Sequence, residues 1–205
     1  MKKALIVVDV QNDFCKDGAL EVPNANEIIP LVNELTKMKM FDYVIFTKDW
    51  HPSNHKSFAS QHERKNVFDV VDLNGIQQVL WPDHCVQDTP GSEVHKDVDL
   101  NVPNMYIFKK GMDEGVDSYS GFYDNDGKSS TGLYEFLLEK VVTDVYVCGL
   151  ATDYCAKFTA LDAAKKGFNT FFLWDVTRGI GGDLTPVMNE LFDEGITVID
   201  FEYLK

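Results

Sequence analysis

The sequence predicts an α/β fold: a Rossmann-like, doubly wound and mostly parallel sheet of six strands, with helices on both faces and one long loop insertion. Apolar, β-rich runs alternate with helical patterns along the chain, which is typical of parallel strands joined by crossover helices. The first run, residues 4–10, is apolar at both odd and even positions, as expected of a strand that is covered on both faces. The length of 205 residues fits a single domain over 1–205.

Local patterns predict the individual elements. Ile28, Leu31, Val32 and Leu35 recur at helical spacing, so residues 26–40 predict an amphipathic helix. Gly167 lies where a glycine commonly ends a helix. The other predicted helices are 132–140, 154–166 and 186–194. The predicted strands are 4–10, 43–47, 105–108, 145–149, 169–173 and 197–199.

One stretch, residues 49–103, breaks this alternation and has little regular periodicity. Loops longer than about 12–15 residues are uncommon inside compact domains and are often functional. This stretch contains all five histidines of the chain: His51, His55, His62, His84 and His95. We therefore expect it to be an elaborated loop that contributes to a functional site.

Charge and composition argue against several functions. With 19 Lys+Arg against 33 Asp+Glu, the net charge of −14 disfavours binding to nucleic acid and to anionic membranes. The apolar run at 4–8 is too short for a membrane span or a signal peptide. Four irregularly spaced cysteines suit a reduced, cytoplasmic chain better than a disulfide framework.

Candidate catalytic residues follow the predicted strands, because ligands bind beyond the carboxyl ends of the strands in open α/β sheets. Cys155 lies in the first turn of the helix after the fourth strand. A helix N-terminus lowers the pKa of a thiol, and its free N–H groups can hold an oxyanion. We expect Cys155 to be a nucleophile, although a buried and unreactive thiol is the commoner role of a cysteine.

Asp9, at the end of the first strand, is a candidate general base for that thiol, with a simple turn residue as the alternative. Lys109 and Lys110 end the third strand, and a lysine there could stabilise a thiolate. Alternation along a strand places the two lysines on opposite faces. The spacing alone leaves open which of them faces the thiol, and either could be a solvated surface lysine.

The segment Asp49-Trp50-His51 indicates a metal site, because an extended Asp-x-His pair points both side chains to one face. His84, whose backbone is restricted by Pro82, is the candidate third ligand, and His55 is a further candidate. Cys85 leaves a zinc–thiolate site open as an alternative. A mixed set of nitrogen and oxygen donors allows Zn, Fe or Mn.

Six blocks of sequence run in order over almost the whole chain. They are Asp9-Val10-Gln11-Asn12-Asp13-Phe14-Cys15, Lys48-Asp49-Trp50-His51-Pro52, Ser57-Phe58-Ala59-Ser60, Trp81-Pro82-Asp83-His84-Cys85-Val86, Phe108-Lys109-Lys110-Gly111 followed by Asp117-Ser118-Tyr119-Ser120-Gly121-Phe122, and Gly149-Leu150-Ala151-Thr152-Asp153-Tyr154-Cys155. Together these blocks resemble the nicotinamidases, within the isochorismatase-like cysteine hydrolases. The agreement of six ordered blocks makes the resemblance highly specific.

The resemblance implies an amidase that converts nicotinamide to nicotinate and ammonia through a cysteine thioester, with pyrazinamide as a second expected substrate. It implies a catalytic set of Asp9, Lys110 and Cys155, in which the lysine is the one directly before glycine. It also implies a cis peptide bond before Ala151 and an oxyanion hole made by the N–H groups of Ala151 and Cys155.

The resemblance further implies one divalent metal ion, with zinc as the first expectation and iron or manganese as alternatives. The implied ligands are Asp49, His51 and His84, and His55 stays open as a fourth. The metal is expected to anchor the pyridine ring of the substrate. The implied ring-contacting residues are Phe14, Trp81 and Tyr119.

Three other functions stay open at this point. An isochorismatase or carbamoyl amidohydrolase of the same family is the nearest, but such relatives generally lack the Asp-x-His and Trp-Pro-x-His pair. A dinucleotide-binding module needs a glycine-rich turn after the first strand, and here no glycine occurs before Gly18. In a zinc-stabilised scaffold, the ligands would only hold the loop. The oligomeric state also stays open, a homo-oligomer included.

Overall fold

A fully parallel six-stranded sheet forms the centre of the computed structural model, which describes residues 1–205. In chain order the strands are β1 (Lys2–Val8), β2 (Tyr43–Asp49), β3 (Val70–Leu73), β4 (Ile76–Val79), β5 (Met105–Lys110), β6 (Val142–Leu150), β7 (Asn169–Arg178) and β8 (Thr197–Ile199). The large sheet has the order β5-β2-β1-β6-β7-β8. The strand order therefore reverses between β1 and β6, which is where such sheets bind ligands.

Helices cover both faces of the sheet, as the sequence predicts. They are α1 (Ile29–Leu35), α2 (Leu133–Glu139), α3 (Lys157–Lys165) and α4 (Thr185–Asp193). Leu5 and Val7 of β1 share a hydrophobic core with α1, whereas Ala4, Ile6 and Val8 share a second core with α2, α3 and α4. Because both faces of β1 are buried, the strand is apolar at every position from 4 to 8, and the predicted α/β fold is confirmed.

Two of the predicted helices are too long. The first is a 3₁₀ turn at Ala25–Ile28 followed by α1, which Pro30 opens within its first two positions, because proline suits a helix start where no N–H partner is needed. The second begins with a π-helical turn at Thr152–Ala156. In that turn the Ala156 N–H donates to Ala151 O at 3.1 Å, and α3 starts only afterwards.

The predicted irregular stretch at 49–103 contains a hairpin that was not predicted from the sequence. Strands β3 and β4 pair antiparallel as a separate two-stranded sheet. Asn74 and Gly75 connect them with φ values of +56° and +87°, and an Asn-Gly pair is the usual signal for such a turn. The strands have only four residues each, too few for a clear alternating pattern.

None of the helices has both the length and the apolar character that crossing a lipid bilayer requires.

Candidate active site

The carboxyl ends of four neighbouring strands bring the predicted catalytic residues together. Asp9 directly follows β1, Asp49 ends β2, Lys110 ends β5, and Cys155 lies in the π-helical turn after β6. All four are buried. The ligand atoms of Asp9, Asp49 and Cys155 lie within 4.8 Å of one another. Parallel pairing explains this convergence, because it aligns the ends of β5, β2, β1 and β6 along one edge.

Lys110 is the lysine that faces the thiol. Its ammonium donates hydrogen bonds to Asp49 Oδ1, to Ser118 O at 2.7 Å and to Cys155 Sγ at 3.4 Å. Lys109 points the other way, is exposed and lies over the Trp50 ring, with Nζ 3.7 Å from the ring centroid. The opposite orientation of the two lysines follows from strand alternation.

Asp9 keeps one free oxygen beside the thiol. Thr47 Oγ1 donates to Asp9 Oδ1 at 2.6 Å. Asp9 Oδ2 lies 2.9 Å from Lys110 Nζ but receives no hydrogen bond, since the three N–H groups of that ammonium are directed to other acceptors. Burial raises the pKa of Asp9 to about 6, although Lys110 acts in the opposite direction. An acceptor with a pKa near neutrality is suited to take and return a proton.

The thiol itself is less acidic than its position in the sequence suggests. Burial raises the pKa of Cys155 well above its usual range, and although Lys110 lowers it, Asp9 and Asp49 act in the same direction as burial. From the sequence, a helix N-terminus was expected to lower the pKa of Cys155, and this expectation is wrong. Cys155 consequently needs a neighbouring base to become a thiolate, and Asp9 is the group in position.

Asp49, His51 and His84 form a group of three donors, with ligand atoms within 4.8 Å of one another. His51 Nδ1–H donates to Gly111 O, and His84 Nδ1–H donates to Pro82 O, both at 2.7 Å. Carbonyl oxygens only accept, so each neutral ring presents a lone pair at Nε2. These Nε2 atoms lie 3.6 and 3.8 Å from Asp49 Oδ2, so three acceptors converge on one point.

The point at which Asp49 Oδ2 and the two Nε2 atoms converge suits a cation. The buried His51 Nε2 has no hydrogen-bond partner. Burial opposes a positive charge on His51, but the Asp49 carboxylate outweighs burial and raises the pKa of His51, so the site favours a positive charge beside Nε2. Two imidazole nitrogens and one carboxylate, with their backbone-anchored Nδ1 atoms, are a donor set typical of a divalent metal site with open positions.

The other loop candidates lie outside this group. His55 Nδ1 faces Ser57 Oγ at 2.7 Å, and its Nε2–H donates to Val116 O at 3.3 Å, so both ring nitrogens have partners. His55 instead belongs to a second group of potential ligands, together with His51 and Asp117. Cys85 belongs to none of the metal-ligand groups, so the geometry does not favour the zinc–thiolate alternative.

A narrow cavity leads to the thiol. It is lined by Cys155, Ala151, Asp49, His84 and Asp117 and by apolar or aromatic side chains: Phe14, Leu20, Trp81, Tyr119, Tyr154 and Ile180. The predicted ring-contacting residues therefore all face one space. The peptide bond between Leu150 and Ala151 is cis, as the resemblance implied.

Several supporting residues were not predicted from the sequence. The Gln11 side chain accepts from the Asp49 N–H at 2.7 Å and donates to Asp49 O at 2.8 Å, which anchors a candidate ligand through its backbone. Thr47 instead acts on a side chain, because its Oγ1–H donates directly to the Asp9 carboxylate. Asp117 lies in the cavity wall, although no role was predicted for it. Gln11 and Asp117 lie in motif blocks, but only their buried positions distinguish them from surface polar residues.

A thiol, a lysine and a carboxylate meet at the edge of a doubly wound sheet, and they provide the nucleophile, the cation and the base of a cysteine hydrolase with an α/β fold. The chain belongs to the isochorismatase family: the model of the isochorismatase domain matches residues 3–202. It is 44% identical over 195 residues to a nicotinamidase of Acinetobacter baylyi, covering 94% of this chain and 90% of that protein.

Solved structures of this family have the same fold. The nicotinamidase/pyrazinamidase of Acinetobacter baumanii matches with a TM-score of 0.94 and 42% identity, over 100% of this chain and 98% of that one. A pyrazinamidase of Pyrococcus horikoshii in complex with zinc matches with a TM-score of 0.80 and 38% identity, over 98% of this chain and 99% of that one.

Proposed function

We propose that the protein hydrolyses nicotinamide to nicotinate and ammonia, as the names of its relatives suggest. The observation that carries the proposal is the joint position of two groups of residues at one narrow aromatic cavity. Cys155, Lys110 and Asp9 provide the chemistry of acyl transfer, and Asp49, His51 and His84 provide a place for a cation. A structural metal site has all its coordination positions filled by protein ligands, whereas a site with three protein ligands keeps an open position for a substrate.

In the first half of the reaction, Asp9 accepts the Cys155 proton and the thiolate attacks the amide carbon. Lys110 stabilises both the thiolate and the Asp9 carboxylate, which it approaches at 3.4 and 2.9 Å. We assign the N–H groups of Ala151 and Cys155 as the oxyanion hole. Asp9 then returns its proton to the nitrogen of the amide, so ammonia leaves and a thioester remains.

In the second half, Asp9 removes a proton from water and the resulting hydroxide attacks the thioester. The same N–H groups hold the second oxyanion, and the thiol leaves after taking its proton back from Asp9. Nicotinate is released and the free thiol is restored. Preorganised N–H donors contribute about 3–4 kcal/mol each to such steps.

Asp49, His51 and His84 would hold the divalent ion. Their mixed nitrogen and oxygen donors allow zinc, iron or manganese, and the zinc complex of the similar Pyrococcus horikoshii pyrazinamidase supports zinc as the first choice. The bound ion would act as a Lewis acid toward the pyridine nitrogen. Phe14, Trp81 and Tyr119 enclose the ring, and Trp81 Nε1–H donates to Tyr119 Oη at 3.3 Å, which stiffens this wall. Pyrazinamide keeps the ring nitrogen and the carboxamide, so we propose it as a second substrate.

We propose further that residues 1–205 form one domain that acts on this small-molecule substrate. We propose no nucleic acid or membrane partner. A homo-oligomer is compatible with this function. The net charge of −14 supports the lack of anionic partners. The four cysteines are free and buried, which supports a reducing, cytoplasmic environment. Ammonia release from nicotinamide, measured on the purified protein, tests the proposed activity directly, and no release from nicotinamide would refute it.

Metal removal should abolish activity without unfolding the protein. The sheet is held by two extensive hydrophobic cores, whereas the three candidate ligands connect only strand ends and one loop. A chelated sample is therefore expected to keep its far-UV circular dichroism and to lose ammonia release, and added zinc, manganese or iron should restore it. Loss of the circular dichroism signal on chelation would instead make the ion structural.

Benzamide should be a much poorer substrate than nicotinamide. It has the same carboxamide and ring size but lacks the ring nitrogen that the ion would anchor, so its carbonyl would not be held against Cys155. We expect a loss of about a hundredfold or more in kcat/KM, since misplacement of a reacting group by about 1 Å costs that much. Equal rates on the two amides would rule out ring anchoring.

Gly111→Ala should disable the candidate metal site selectively. A Cβ at Gly111, where φ is +63°, would lie 2.3 Å from His51 Cε1, so the imidazole would have to move. We expect at least about a tenfold loss of zinc affinity and of kcat/KM. Gly127→Ala is the matched control, because its φ is +70° but no atom lies within 4 Å of the new Cβ.

Both glycine variants carry the cost of a left-handed alanine, about 1–2 kcal/mol, which thermal unfolding will measure. Only the Gly111 variant should lose zinc affinity. A similar loss in both variants would trace the effect to backbone strain and not to the displacement of His51.

A further inference from the structure

Asp117 is a buried carboxylate in the wall of the active-site cavity to which the proposed mechanism gives no task. It is 4% exposed. Its Oδ1 accepts from the Ser118 N–H and its Oδ2 accepts from Gln78 Nε2, each at 2.8 Å. Both donors are neutral, and the ion pairs of this pocket join Lys110 only to Asp9 and Asp49. Burying a carboxylate is costly unless a cation compensates its charge.

Asp117 adjoins His51, one of the three residues of the candidate metal site. The ligand atoms of Asp117, His51 and His55 lie within 4.8 Å of one another, and His51 is also a member of the Asp49–His51–His84 group. His51 is fully buried, and its Nε2 has no hydrogen-bond partner. The two groups of potential ligands therefore share His51, which brings the Asp117 carboxyl close to the candidate metal site.

Buried carboxyl groups outnumber ammonium groups in this pocket. Asp9, Asp49 and Asp117 supply three carboxylates, and Lys110 supplies the one ammonium that pairs with any of them. Three buried carboxyl groups therefore share one ammonium. A divalent cation would add positive charge to this pocket, and Asp49 alone among the three implied ligands is a carboxylate.

We propose that Asp117 supplies the second negative charge of the divalent-ion site and that this charge, acting beside His51, strengthens the binding of the ion. The inference rests on the proposed metal-dependent function. Mutation of residues that surround and support the ligands of a metal typically costs about 10–100-fold in metal affinity. Asp117 is thus a positioning residue for the ion, held in place by Gln78 of β4 and by the backbone of Ser118.

Zinc affinity of the purified protein, measured by competition with a chromophoric chelator, tests this proposal. Asp117→Asn keeps the size of the side chain and an acceptor oxygen but removes the charge. Asp144→Asn is the matched control: Asp144 is 8% exposed, accepts from Thr143 and Asn169, and lies near the start of β6, at the opposite end of the sheet. We expect the zinc Kd to rise tenfold or more in D117N and to stay at the wild-type value in D144N.

A rise of less than tenfold in D117N overturns the proposal, and so does an equal rise in D144N. If D117N binds zinc like the wild type but its KM for nicotinamide rises, Asp117 contacts the substrate and not the ion. A wild-type protein that binds no zinc, manganese or iron would refute the proposed metal site itself, which is a separate result. If D117N does not fold, Asp117→Glu and Asp117→Gln provide a second pair with side chains of equal size. We expect the zinc Kd of the Gln variant to be at least tenfold higher than that of the Glu variant.

Discussion

Cys155→Ala should abolish turnover while nicotinamide binding is largely retained. The thiol is the nucleophilic group that lies close to both Lys110 Nζ and Asp9, whereas the proposed binding mode would hold the ring by the aromatic wall and the candidate metal ligands. We expect kcat to fall below about a hundredth of the wild-type value, as is typical when a nucleophile is removed. The equilibrium Kd for nicotinamide should change by no more than a few fold.

Cys148→Ala provides the matched control for this prediction. Cys148 is a fully buried thiol in β6, within a hydrophobic core and outside the cavity. Its removal should lower stability slightly and leave kcat near the wild-type value. Mass spectrometry of quenched wild-type reactions should detect a thioester adduct that is absent from the Cys155 variant. Turnover by that variant above a hundredth of wild type would rule out the covalent mechanism.

Lys110→Ala should be far more damaging than Lys109→Ala. Lys110 is 1% exposed and neutralises Asp9 and Asp49 while it donates to the thiol. Its loss leaves buried carboxylates unpaired, which costs about 3–5 kcal/mol in similar cases. It also removes the cation that stabilises the thiolate, so we expect kcat/KM to fall by about a hundredfold or more. Bound metal would offset part of the loss in stability but not the loss at the thiol.

Lys109→Ala removes a lysine of the same strand that lies over the Trp50 ring at the surface. Exposed cation–π contacts are worth about 0.5–1 kcal/mol, so urea unfolding should shift only slightly and kcat/KM should stay within about threefold of wild type. Lys110→Met keeps most of the side-chain volume and separates the loss of charge from the loss of packing. Equal kinetic effects of the two alanine variants would contradict the assignment of Lys110.

Much of the fold could be predicted from the sequence because its signals are local. A strand that is covered on both faces has to be apolar at each position, and β1 is apolar from position 4 to position 8. Strand alternation alone places Lys109 and Lys110 on opposite faces. Parallel strands align their carboxyl ends, so the polar residues after β1, β2 and β5 could be expected at one edge. The short hairpin of β3 and β4 was missed because its four-residue strands carry too little pattern.

The sequence by itself determined the α/β class, the strand ends that carry Asp9, Asp49 and Lys110, and the position of Cys155 after β6. Only the tertiary structure decided which charges meet. Lys110 and Asp49 are 61 residues apart in the chain, and Gln78 and Asp117 are 39 apart. The upward shift of the Cys155 pKa, the unpartnered oxygen of Asp9 and the burial of the Asp117 carboxyl group depend on such contacts between distant residues and on the exclusion of water around them. Periodicity and spacing describe neighbours along the chain, and burial and charge balance are properties of neighbours in space.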